Sequence, residues 1–276
     1  MAVPLTTAVE LAVQVDHEDV CIVDCRWYLG EPGLGLQAYR EDHIPGAAYA
    51  SLDKDLSGVE GPGRHPLPTP ESFARTLSRL GVTSSTRVVV YDDRGGAVAS
   101  RLWWMLTDQG HGMTSVLDGG IQAWVAAGFA LTTDSPTPPV GSFPTRPWSG
   151  VVDRRSVARR DRHTVVIDAR SPERYRGDEE PVDPKAGHIP GAISLPQADN
   201  LNDDLTFLPS AVLRTRFSNA GIADAHLVIS QCGSGVTACH NIMAMEMAGL
   251  GRPMLYVGSW SDWSTGDLPI TTGGSP

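Results

Sequence analysis

Asp42-His43-Ile44-Pro45-Gly46-Ala47 recurs as Gly187-His188-Ile189-Pro190-Gly191-Ala192. The similarity extends outward from both copies. Upstream, Ile22-Val23-Asp24-Cys25-Arg26 matches Val166-Ile167-Asp168-Ala169-Arg170, and the aspartate precedes the histidine by 19 residues in one copy and 20 in the other. Downstream, Val88-Val89-Val90-Tyr91-Asp92-Asp93 matches Leu227-Val228-Ile229-Ser230-Gln231-Cys232, and Gly119 to Trp124 matches Gly258 to Trp263. Four landmarks in one order at similar spacing define a tandem duplication.

Each copy alternates short β-branched runs with helix-like stretches. The runs are Cys21–Asp24, Ala47–Ala50, Val88–Tyr91 and Ser115–Leu117, then Val165–Asp168, Ile193–Leu195, Leu227–Ser230 and Met254–Tyr256. Helical character falls on Glu71–Leu80 and Ala99–Thr107, then on Ser210–Ala220 and Ala238–Ala248. Thr69 followed by Pro70 predicts an N-cap with proline at the first helical position. Apolar strands alternating with helices predict an α/β fold, each copy a parallel sheet with helices on both faces. Residues 132–149 hold five prolines and read as a stiff linker between domains at 1–131 and 150–276.

Across 276 residues, 41% are hydrophobic and 20% charged, enough apolar content for packed cores. A net charge of −10 argues against nucleic acid or an anionic membrane as partner. The basic residues are twenty arginines and only Lys54 and Lys185, so bidentate anion binding is available. No basic residue precedes Arg26 and no apolar run reaches membrane-span length, which points to a cytoplasmic protein. Cys21, Cys25, Cys232 and Cys239 form no Cys-x-x-Cys, so neither a zinc knuckle nor a dithiol motif is supported.

The chemistry concentrates at Gln231-Cys232-Gly233-Ser234-Gly235-Val236-Thr237. A buried strand is expected to end at Cys232 and a helix to begin within a few residues. A short glycine-rich turn there aims backbone N–H groups inward, and the helix N-terminus adds partial positive charge. An anion at the Cys232 sulfur is thereby favoured, and Cys232 reads as a nucleophile. The alignment of the repeats places Asp93 opposite Cys232, so only the second copy carries the reactive centre. A phosphatase-type loop needs an arginine six residues after its cysteine to clamp an oxyanion, and Ala238 stands there.

Two His-Ile-Pro-Gly-Ala units, a cysteine loop in the second only, and Gly258-Ser259-Trp260-Ser261-Asp262-Trp263 resemble tandem-domain rhodanese-type sulfurtransferases over nearly the whole chain. The resemblance implies two rhodanese-like domains, the first non-catalytic. The loop Cys232 to Thr237 is similar to that of the 3-mercaptopyruvate branch; thiosulfate-preferring members carry Cys-Arg-Lys-Gly-Val-Thr, with cations where Gly233 and Ser234 stand here. The resemblance implies transfer of sulfane sulfur from 3-mercaptopyruvate to a thiol or cyanide through a persulfide on Cys232. Gly233, Gly235, Val236 and Thr237 would line the substrate, and no metal or organic cofactor would be required. A thiol acceptor such as thioredoxin fits. The alternatives are a thiosulfate:cyanide sulfurtransferase and a non-enzymatic sulfur carrier or interaction module.

By the same resemblance, Arg174 corresponds to the arginine that holds the substrate carboxylate. A second arginine expected further along is replaced by Asp183, with Lys185 and Arg176 as the nearby cations. Ser234, a first-domain His65 and Asp55 correspond to a proton relay, with Asp53 an alternative to Asp55. Asp24–Arg26 and Asp168–Arg170, and likewise His43 and His188, occur in both copies. Because only one copy holds the cysteine, these are read as structural.

Overall fold

A computed structural model describes residues 4–275. The first compact unit comprises the chain up to Gly58, Pro68–Ser149 and Asp203–Phe207; the second comprises Val59–Leu67, Gly150–Asn202 and the chain from Leu208.

In the first unit the order is β1 (Leu5–Thr6), α1 (Ala8–Ala12), β2 (Val20–Asp24), α2 (Leu34–Glu41), β3 (Ala47–Tyr49), α3 (Pro70–Arg79), β4 (Arg87–Tyr91), α4 (Ala99–Asp108), β5 (Thr114–Leu117) and α5 (Gly120–Ala126). The second repeats it as β6 (Val151–Val152), α6 (Arg154–Ala158), β7 (Val165–Asp168), α7 (Pro172–Arg176), β8 (Ala192–Ser194), α8 (Ser210–Asn219), β9 (Val228–Gln231), α9 (Ala238–Met247), β10 (Met254–Tyr256) and α10 (Ser259–Trp263). Both sheets are parallel, ordered β1-β5-β4-β2-β3 and β6-β10-β9-β7-β8. The strands predicted from β-branched runs are all present, shifted by a residue at some ends. The two-residue edge strands β1 and β6 are too short to leave a periodic signal.

Ile22 and Val23 are both buried, as are Val88 through Tyr91. Successive strand residues point to opposite faces, so both faces of the sheet are covered. Ile22, Ile44, Val89, Tyr91 and Trp124 share one core; Val166, Tyr175, Ile189, Ile229 and Trp260 share its counterpart in the second unit. The duplicated polar residues serve these cores. Arg26 and Arg170 pair with Asp24 and Asp168 at 2.8 and 2.7 Å, each pair nearly solvent-free. His43 and His188 stack on Tyr39 and Tyr175 and bond carbonyl oxygens through both ring nitrogens.

The proline-rich stretch is laid along the first unit. Arg146 bonds Gln109 and the Asp108 carbonyl, Ser149 bonds the Asp108 carboxylate, and Trp148 Nε1 donates to Pro68 O at 2.8 Å. Among the described residues no helix is long and apolar enough to cross a membrane.

In each sheet the order reverses between the two central strands: β7 leads to β8 on one side and β9 to β10 on the other. A crevice outside the carboxyl ends of strands belongs at such a switch point. Cys232 is the first residue after β9.

Candidate active site

Cys232 is 2% exposed. Its N–H donates to Ser259 Oγ (3.1 Å), its carbonyl accepts from Trp260 N–H (3.0 Å), and the Gly233 carbonyl accepts from Ser261 N–H (2.9 Å). The turn is thus held against the start of α10. Gly235 sits at φ +74°, where a Cβ would come within 2.4 Å of Val257 O, so the close approach demands glycine. The N–H groups of Ser234, Val236 and Thr237 have no acceptor among the described residues, and they directly precede the N-terminus of α9. Ser259 is in the left-handed region at φ +52°, while its counterpart Gly120 takes +59° without a Cβ. The second copy accepts this strain and gains a hydroxyl on the amide of Cys232.

The first unit shows what the turn is shaped to hold. Strand register pairs Asp24 with Tyr91 and Asp168 with Gln231. The carbonyl bonded by Ile121 N–H is that of Asp92, as the carbonyl bonded by Trp260 N–H is that of Cys232. The counterpart of Cys232 is therefore Asp92, not Asp93: the sequence alignment was one residue out. Asp93 instead accepts a 2.5 Å bond from Tyr28 Oη. The Asp92 carboxylate accepts four backbone N–H bonds, from Arg94 and Gly96 on Oδ1 (2.8 and 2.9 Å) and from Val98 and Ala99 on Oδ2 (2.7 and 2.8 Å). Burial pushes this carboxyl group toward protonation. Four donors nevertheless leave neither oxygen an acceptor to which a proton could be given, so the bound form is the anion.

His65 Nδ1 lies 2.8 Å from Ser234 Oγ, and both residues are 7% exposed. The histidine was expected from the first domain, but Val59–Leu67 packs as part of the second unit. That segment is anchored by Arg64 N–H donating to Ser261 Oγ (3.0 Å) and by Gly63 at φ +77°, where a Cβ would meet Gly258 O at 2.5 Å. Asp55 belongs to the first unit, where its carboxylate accepts from Ser51 N–H (2.8 Å) and pairs with Arg79 (2.8 Å). Asp53, also in the first unit, accepts from Trp27 Nε1 (3.2 and 3.1 Å).

Arg174 projects from α7, which is capped by Ser171 and opened by Pro172. Its Nη2 donates to Glu180 Oε1 (2.6 Å) and Asp183 Oδ2 (3.2 Å). Asp183 also pairs with Arg64 through Oδ1. Burial pushes the Asp183 carboxyl up, and Arg64 pulls it back most strongly. Arg64 was not singled out by its sequence position; its one signal was adjacency to His65. Lys185 bonds the Gly266 carbonyl and Arg176 pairs with Asp178 and Glu173, so neither stands in for a second arginine in this cluster.

The remaining cysteines differ from Cys232 in setting. Burial pushes the Cys21 thiol up to about 12 and the Cys25 thiol well above its ordinary range. Cys239 is fully buried on α9 with its thiol toward Gly235 O (3.5 Å).

A family model described as Rhodanese-like domain matches residues 7–127 and again residues 155–265. A Pseudomonas aeruginosa protein provisionally named 3-mercaptopyruvate sulfurtransferase is 43% identical, covering 98% of each chain. A Mycobacterium tuberculosis protein provisionally named thiosulfate sulfurtransferase is 41% identical over 95% of this chain and 94% of its own. Among solved structures, the 3-mercaptopyruvate sulfurtransferase from Leishmania major superposes with a TM-score of 0.83 at 31% identity, covering 95% of this chain and 74% of the other.

Proposed function

The chain belongs to the rhodanese family, and on that premise we propose that it is a sulfurtransferase that takes sulfur from 3-mercaptopyruvate and passes it to a thiol or cyanide through a persulfide on Cys232. The observation that carries this reading is Asp92: one copy of the turn holds a carboxylate on four N–H groups, and the other presents a sulfur at the same backbone position. A cradle built for negative charge suits a thiolate, then a persulfide, without reorganisation between the steps.

In the first half-reaction the Cys232 thiolate attacks the donor sulfur. An S–S bond forms, the C–S bond breaks, and its electron pair leaves on carbon as pyruvate enolate. The enolate takes a proton at carbon to give pyruvate. Ser234 lies in the turn and its Oγ is 2.8 Å from His65 Nδ1, which supports a role for the pair in relaying that proton. In the second half-reaction an acceptor thiolate or cyanide attacks the outer sulfur and returns Cys232 as thiolate. Arg174 serves the donor carboxylate, where a guanidinium fork matches a planar anion.

Thiosulfate remains the competing donor, as the name of the Mycobacterium relative indicates. Gly233 and Ser234 supply no cation to the turn for a small dianion, which favours the carboxylate-bearing donor. The test is intact mass after exposure to 3-mercaptopyruvate, with turnover compared for both donors. A gain of one sulfur that is lost in Cys232→Ser, with faster turnover on 3-mercaptopyruvate, is expected. No gain, or a gain that survives the substitution, would overturn the reading; faster turnover on thiosulfate would overturn the donor.

A further inference from the structure

Arg154, Arg155, Arg159, Arg160 and Arg162 fall within nine residues of a chain whose net charge is −10. The fold accounts for three of them. Arg154 donates to the Asp262 carbonyl at 3.1 Å and pairs with the Asp262 carboxylate at 3.5 Å. Arg160 donates to the Val157 and Pro190 carbonyls, and Arg162 Nε donates to His163 Nε2 at 3.2 Å. Arg155 and Arg159 are exposed, and neither guanidinium has a hydrogen bond or ion pair with a described residue. Asp153 feels Arg155 through space, but its carboxylate is committed to capping α6 through Ser156 N–H at 2.7 Å. The placement costs the helix stability. Arg154 and Arg155 stand at the first two positions of α6, where the helix dipole repels a cation, and Arg155 and Arg159 are like charges four residues apart. No packing offsets this for Arg155 and Arg159, which line an open recess of about 480 Å³ between α6 and residues 266–268.

We infer that Arg155 and Arg159 form a docking face for an acidic surface of the protein that supplies the acceptor thiol. The inference rests on the proposed persulfide at Cys232. Arg154 fastens α6 to Asp262 of α10, and Trp260 and Ser261 of the same short helix donate to the carbonyls of Cys232 and Gly233. The docking face and the sulfur-bearing turn are thus fixed to one helix. Cys232 is 2% exposed, so a thiol carried on a protein must arrive in one orientation. Charge beside the turn supplies both that orientation and a faster encounter. The guanidinium fork matches carboxylates. Asp153, Asp161 and Asp267 are interspersed with the arginines, so a uniform phosphate backbone would meet repulsion that a protein face with a few carboxylates avoids. Once docked, the partner thiolate attacks the outer sulfur. The new S–S bond forms on the partner, the S–S bond at Cys232 breaks, and its electron pair leaves on Cys232 as thiolate.

The probe is a synthetic peptide with an acidic block, a glycine spacer of about six residues and a terminal cysteine, the spacer reaching up to about 20 Å. Its isomer with glutamines in the block is the neutral control. The full-length chain is loaded with 3-mercaptopyruvate, and loss of the outer sulfur is followed by intact mass. At low ionic strength the acidic peptide is expected to unload wild type about fivefold faster than the neutral one, against the chain's own net charge. The ratio should fall to about one in the double variants Arg155→Ala/Arg159→Ala and Arg155→Glu/Arg159→Glu, and in wild type at about 1 M salt. Unloading by dithiothreitol, which needs no docking, should change by less than about twofold in either variant. Equal rates for the two peptides on wild type, or a ratio that survives in both double variants, would overturn the docking face. Binding of a fluorescent, cysteine-free acidic peptide is read in parallel by anisotropy. Competition by an oligodeoxythymidylate of equal charge at lower concentration than by the unlabelled peptide would overturn the protein partner. If Cys232 takes no sulfur, the persulfide falls, and loss of anisotropy in the double variants still decides the face.

Discussion

His65 Nδ1 stands 2.8 Å from Ser234 Oγ, with both side chains almost withdrawn from solvent beside the turn that carries Cys232. A hydroxyl bonded to an imidazole can give up a proton and be restored, the service the departing enolate needs. His65→Ala and Ser234→Ala are each expected to lower kcat by about a hundredfold, and the double variant little further, because the two act as one unit. Asp55 is engaged by Arg79 and Ser51, and Asp55→Asn should change kcat by less than about twofold, since the loss is that of an ion pair whose arginine is half exposed and which lies in the first unit. Single-turnover release of pyruvate measures all four. A hundredfold loss in Asp55→Asn would return that residue to the relay.

Asp92 makes a different prediction, about stability. Asparagine would offer one oxygen to the four N–H groups and set its NH2 against two of them. Asp92→Asn is expected to lower the unfolding free energy by about 3 kcal/mol or more, the cost of buried donors left unmet. Denaturant titration read by first-unit tryptophan fluorescence is the measurement. An unchanged midpoint would mean that the carboxyl group is protonated and the cradle holds no anion.

Ser259 separates strain from hydrogen bonding. Ser259→Ala keeps the Cβ at φ +52° and removes the acceptor of Cys232 N–H; Ser259→Gly removes both. The glycine variant should be the more stable of the two by about 1 kcal/mol, the cost of a left-handed non-glycine residue. Both should form the persulfide more slowly than wild type, because the cysteine amide is no longer held. Equal melting temperatures for the two variants would show that the position is unstrained.

Asp118 sets a pH dependence. Its carboxylate accepts from Phe207 N–H at 2.8 Å, and burial, more than nearby Asp204, raises its affinity for a proton. The folded state thus holds this proton more tightly than the unfolded chain. The contribution is complete below about pH 4, the ordinary carboxylate value, and is lost as pH rises through the elevated folded value. Asp118→Asn keeps an oxygen for Phe207 and does not titrate. Relative to it, wild type should lose stability between about pH 4 and neutrality. Paired denaturant titrations across that range would detect the change, and a difference flat in pH would show the carboxylate to be solvated.

Sequence alone determined the duplication, the central strands and helices of both copies, the cysteine turn, and the structural standing of the paired Asp–Arg and histidine residues. Each is written in contiguous residues: β-branched runs, a proline after a capping threonine, glycines at a turn. Such signals act over a few residues and survive without knowledge of the fold. Three things waited for the tertiary structure. The twin of Cys232 is Asp92 because hydrogen-bond register, and not the similarity of Tyr91-Asp92-Asp93 to Ser230-Gln231-Cys232, counts the residues of a strand. His65 serves the second unit because Val59–Leu67 packs there, anchored at Gly63 and Arg64. Arg64 meets Asp183 across 119 residues. Charges so distant in the chain are joined only when the core decides which loops are neighbours, and no local pattern records that choice.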